Sequence, residues 1–243
     1  MSLRIDFIET PLYNVLLEGT SVINCNTSHG IETYPTFEYL LQSIFLRMTG
    51  FSEQKLRAIH WYFVNADLDL RYKTLKGGTE SPKFGEYSNL KDKQKFYTSF
   101  MTIVKETTET EISIDDACRT LILNRVKSQI SNISDTPVFK EAFSKELKET
   151  KALLNSITIN HFAKDKVLLN SPLTDIYEFL YKQRNKSAHY STSYQRDIDT
   201  FRSLLNPHRA ECNYFTYFAI LLILDEVFME FYNQAKMAYN NAF

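Results

Sequence analysis

Glycine and proline are scarce in this chain, six of each in 243 residues. That scarcity argues against a loop-rich β-sandwich and favours long helices. Cysteine is scarce too: Cys25, Cys118 and Cys212 stand far apart and are odd in number. No CxxC or Cys/His spacing suggests zinc, so reduced thiols in a cytoplasmic protein are expected. Neither sign of charge dominates, with a formal net charge of −1, so an anionic partner would have to meet a local basic patch. The longest apolar run, YFTYFAILLIL at 214–224, is too short and too closely flanked by charge to span a bilayer. The opening MSLRIDFIETPL lacks the basic and apolar regions of a secretory signal. There is no Walker loop, GxGxxG, GxSxG or HExxH. The carboxylates Asp67, Asp69, Asp115 and Asp116 have no spacing that separates a metal site from helix caps. No metal or cofactor is expected.

Aromatics, by contrast, are abundant at 14%, within a hydrophobic content of 44%. A chain of this length suits one large domain, or one domain with an appended arm. Residues 3–24 hold two short apolar runs around Glu18-Gly19-Thr20, which predicts a β-hairpin or extended arm over residues 1–35. From residue 36 to 243 the pattern is helical, predicting an all-α bundle with its motif-bearing core at about 92–243. FEYLLQSIFLRM should end at Gly50, and a second helix should start from Ser52 as N-cap. KGGTESPKFGEYSNLK at 76–91 reads as a loop, followed by a helix over 92–109. Ser113 and Asp116 resemble an acidic capping box, and Pro137 opens a helix rich in Lys and Glu. Ser171-Pro172 signals another helix start, with Ser171 as N-cap. A helix over about 194–205 precedes the last one, about 209–239, which is apolar nearly all round in its first half and should be the core helix. His60, inside an amphipathic helix, reads as a core histidine.

Between two apolar helices stands a polar insert, FLYKQRNKSAHYSTSYQ at 179–195. Such an insert is either a solvated helix end, where cations meet the negative end of the dipole, or a site. Arg184-Asn185-Lys186-Ser187-Ala188-His189 fits the pattern Arg, a polar residue, three variable residues, His. A looser match, Arg202 to His208, lacks the asparagine and crosses Pro207. Histidine titrates near neutrality and can serve as acid or base. Arginine stays charged and offers a planar fork to phosphate. Residues five apart on a regular helix point about 140° away from each other. Arg184 and His189 therefore share a face only if the helix breaks or a second copy complements them. Lys182, Lys186, Tyr190 and Arg196, with Arg202 and Arg209, offer the basic and aromatic surface that RNA requires.

Over about 171–230 the chain resembles the HEPN superfamily (higher eukaryotes and prokaryotes nucleotide-binding), all-α proteins with an Arg-polar-(three to five residues)-His signature. The resemblance implies a metal-independent endoribonuclease of toxin or anti-phage type that leaves 2′,3′-cyclic phosphate ends. It implies a homodimer whose two motifs converge in one cleft, and a possible antitoxin or regulatory protein as partner. By the same resemblance His189 is the general acid/base, Arg184 the phosphate ligand and Asn185 the orienting residue. Inert members of the superfamily are dimerisation or binding modules, which is the alternative. Ser191 stands where some members carry a modifiable tyrosine, so tyrosine AMPylation is not implied.

Overall fold

The computed structural model describes residues 2–25, 34–66, 68, 70–72, 87–189 and 213–242. They are mostly helical, with one two-stranded antiparallel sheet. Residues 76–86 of the loop expected at 76–91, the helix at 194–205, the looser Arg202–His208 match, Asp67 and Asp69 lie outside the described residues.

Helices α1 (Ser2–Glu9) and α2 (Leu12–Asn24) replace the predicted N-terminal hairpin. Glu-Gly-Thr reads as a turn by composition, yet Gly19 is inside α2 because a helix must pass very close there. A Cβ on Gly19 would lie 2.4 Å from Ile44 Cγ1 on α3 (Tyr34–Ala66). Leu12, Val15, Leu16 and Ile23 then form the buried face expected of an amphipathic helix.

The predicted break at Gly50 and Ser52 is absent: α3 runs through both. Thr49 and Ser52 are buried, so these polar residues face inward instead of capping a helix end. Next come α4 (Leu90–Thr108) and α5 (Asp116–Ser134). Asn89 caps α4, its side chain accepting from Asp92 N at 2.8 Å. The N-cap of α5 is Asp115, which accepts from Cys118 N at 2.7 Å, two residues beyond the predicted Ser113. The charged side chain nearest the helix start wins, as the dipole favours.

The single helix expected from Pro137 is two, α6 (Pro137–Ala142) and α7 (Ser144–Ser156). The chain bends at Phe143, φ −130° and ψ 26°, where its ring packs 5.7 Å from Phe139 and 5.6 Å from Phe215. Strands β1 (Phe162–Lys164) and β2 (Val167–Leu169) follow, unforeseen from sequence. Their register pairs Phe162 with Leu169 and Lys164 with Val167. Gln94 of α4 holds the hairpin, accepting from Leu168 N and donating to Lys166 O.

Helix α8 (Leu173–His189) starts one residue after Pro172, and Pro172 O accepts from Ile176 N at 3.2 Å. Ser171 does not cap it; its hydroxyl donates to the Asp175 carboxylate. Last comes α9 (Tyr214–Ala242), in which every residue from Phe215 to Asp225 is buried. It packs against α2, α3, α4, α5, α7 and α8, and so is the central core helix as predicted. No helix among the described residues is long and apolar enough to cross a membrane.

Asp225 of α9 ties the N-terminal helices to that core. One carboxylate oxygen accepts from Leu12 N at 2.8 Å, at the otherwise unsatisfied start of α2. The other meets Lys55 Nζ at 2.8 Å, and Lys55 also donates to Thr10 O at 2.8 Å. Both side chains are buried.

Candidate functional site

Positions 173, 177, 180, 184 and 187 recur at four- and three-residue steps, so they share one face of α8. Leu173, Tyr177, Leu180 and Ser187 are buried, which carries Arg184 inward beside them. Burying a guanidinium demands a partner, and α3 supplies one in Glu53. Arg184 Nη2 lies 3.2 and 3.3 Å from the two carboxylate oxygens of Glu53. Arg184 Nη1 donates to Asn185 Oδ1 at 3.0 Å. Two of the three residues assigned to catalysis are thus in direct contact. The third, His189, ends the helix, but its side chain lies outside the described residues.

Arg184 borders a hollow with room for about one water molecule. Thr49, Ser52 and Glu53 of α3 form one wall, Ser88 and Lys93 another, and Tyr177, Leu180 and Tyr181 of α8 a third. Lys93 is only 1% exposed and donates to Tyr87 O. Burial pulls its pKa down to about 8, opposed by Glu53 and assisted by Arg184. The Tyr177 hydroxyl donates to Ser88 O at 2.8 Å, and burial pushes the phenol well above its usual range. Tyr87 continues the polar path into the core, its hydroxyl 2.6 Å from His60 Nδ1. Burial lowers the His60 pKa to about 4, so this ring is neutral at neutral pH. It is the core histidine that its position in an amphipathic helix predicts.

Of the residues assigned to RNA binding, Lys182 is exposed and its ammonium sits 5.4 Å from the Phe179 ring centroid. Lys186 is half-buried one turn further along α8. Tyr190 and Arg196 lie outside the described residues. Among the described residues no three His, Cys, Asp or Glu side chains gather as a metal site would need. Asp115 is a cap and Asp116 pairs with Arg119.

Glu53 and Lys93 were missed by sequence reasoning. The signal for Lys93 was present: it precedes Phe96, Tyr97 and Phe100 at helical spacing, on the stripe that α4 buries. The signal for Glu53 was weaker. It follows Thr49 and Ser52, polar residues on a helix face that is otherwise apolar.

Compared with protein-family models, with curated proteins and with solved structures, the chain matches none.

Proposed function

We propose that this chain is a metal-independent endoribonuclease of HEPN type, acting as a homodimer in toxin or anti-phage defence. The observation that carries the reading is the setting of the motif. Arg184 is held at the edge of a small hollow by Glu53 and Asn185, five residues ahead of His189 on one unbroken helix. In this mechanism His189 moves the proton of the 2′-hydroxyl or the 5′-oxygen. Arg184 stabilises the charge that develops on the scissile phosphate, and Asn185 orients Arg184. The continuity of α8 supports the dimer: positions 184 and 189 diverge by about 140° on it, so a second copy completes each site. Lys182 and Lys186 add cationic contacts along the RNA backbone.

One observation favours the inert binding module as the second reading. Arg184 already has carboxylate and amide partners within its own chain, as a purely structural arginine would.

Cleavage decides between them. Purified protein should cut single-stranded RNA in EDTA and leave 2′,3′-cyclic phosphate or 3′-phosphate ends, read by mass spectrometry. His189→Ala should lower the rate by about 10²-fold or more, Arg184→Ala comparably, and His208→Ala little. Light scattering should report a dimer. Activity that disappears in EDTA and returns with magnesium or manganese overturns the mechanism. Equal cleavage by wild type and His189→Ala overturns the enzyme and leaves the module.

A further inference from the structure

Three charged groups of alternating sign lead from the core to the rim at this site, one from each of three helices. Lys93 is 1% exposed, the Glu53 side chain 12% and the Arg184 side chain 29%. A carboxylate on a phosphate-binding arginine has two possible roles. It is a plug that RNA must displace, or a brace that stays in place while RNA binds.

The surroundings of Glu53 favour the brace. Its carboxylate is nearly enclosed and is the leading favourable charge acting on buried Lys93. Swinging it out into solvent would strand an ammonium with almost no access to water, a costly state. Lys93 is fixed in turn, because it donates to Tyr87 O. Glu53 and Lys93 line the same hollow; both Glu53 oxygens engage Arg184 Nη2, and Asn185 takes Nη1. A guanidinium is a rigid plane with five donors. Holding it at two nitrogens sets the plane and the direction of its remaining N–H groups.

Resting on the ribonuclease reading, we propose that Glu53, anchored by buried Lys93, is a positioning residue. It holds the Arg184 guanidinium ready for the scissile phosphate of RNA, and RNA does not displace it.

The test compares Glu53→Gln, Glu53→Asp and Arg184→Ala, each checked for an intact urea transition. Cleavage of single-stranded RNA gives kcat and KM, and a non-cleavable 2′-O-methyl RNA gives affinity. Glu53→Gln should lower kcat by about tenfold or more, because a misdirected guanidinium loses alignment with the transition state. In the Arg184→Ala background the same change should add almost nothing, since residues acting through one another are not additive. A merely structural Glu53 would show a full additional loss there. Glu53→Asp keeps the charge and shortens the reach; it too should lower kcat, and it decides the case if Glu53→Gln does not fold. Faster cleavage or tighter RNA binding by either Glu53 variant identifies a plug and overturns the inference, while the ribonuclease reading stands. Wild-type kcat in Glu53→Asp also overturns it. A wild type that neither cleaves nor binds RNA overturns both.

Discussion

His60 has no exposed surface, and its ring lies 5.5 Å from that of Phe96. A neutral imidazole is tolerable there and an imidazolium is not, which is why burial pulls the pKa down to about 4. The sign of the pH effect follows. Between pH 6.5 and 4 the unfolded chain takes up a proton that the folded chain refuses, so stability is lost as pH falls through that window. The loss approaches about 3 kcal/mol at its lower end, from ~1.4 kcal/mol per pKa unit. His60→Gln retains a polar partner for the Tyr87 hydroxyl and removes the proton site. Urea midpoints at pH 7 and pH 4.5 should differ less in that variant than in wild type. Charge is also where the sequence was hardest to read. Arg184 and Asn185 were legible because motif and helix end coincide. Lys93 and Glu53 were not, because a buried charge and a solvated one are the same letter. Only the helical register with Phe96, Tyr97 and Phe100 marks Lys93 as inward-facing.

At the scale of elements, Gly19 and Gly50 make a paired comparison within two packed helices. Gly19 lets α2 approach α3, where an added Cβ would come within 2.4 Å of Ile44 Cγ1 and 2.8 Å of its Cδ1. Gly50 is exposed on α3 and an added Cβ there meets nothing within 4 Å. Gly19→Ala should therefore destabilise by about 1–3 kcal/mol through forced repacking. Gly50→Ala should stabilise by up to about 1 kcal/mol, since alanine restricts the unfolded chain and favours helix. Thermal melts of the two variants against wild type check both signs. The same two glycines explain the errors of sequence reading over this half of the chain. Local rules treat glycine as a turn or a stop, and both rules were overridden by packing. The helical class was legible because long apolar stripes at helical spacing persist wherever glycine and proline are rare. The hairpin at 162–169 was not, because its strands are three residues each. Its turn uses Asp165 and Lys166 at φ 49° and 66° instead of glycine.

For the molecule as a whole, the buried tie between Lys55, Asp225 and the start of α2 joins residues 213 apart. Burying two charges costs desolvation that their attraction only roughly offsets. Removing one partner leaves the other stranded. Lys55→Met should cost about 3–5 kcal/mol, measured by urea denaturation. Adding Asp225→Asn should restore part of that loss, because the amide oxygen still accepts from Leu12 N and no charge remains. Losses that simply add would show that the two side chains do not act as a pair.

The position of α9 in the chain has a consequence for synthesis. Ribosomes deliver the chain in sequence order, so α2, α3, α4, α5, α7 and α8 emerge before the helix they pack against. Until Phe215–Asp225 leave the exit tunnel, the parts of α3, α4 and α5 that α9 covers stay open, and Lys55 waits for its carboxylate. Nascent chains of this protein therefore expose apolar surface until α9 has emerged, and a ribosome stalled before that point leaves a product for chaperones and proteases instead of a folded fragment.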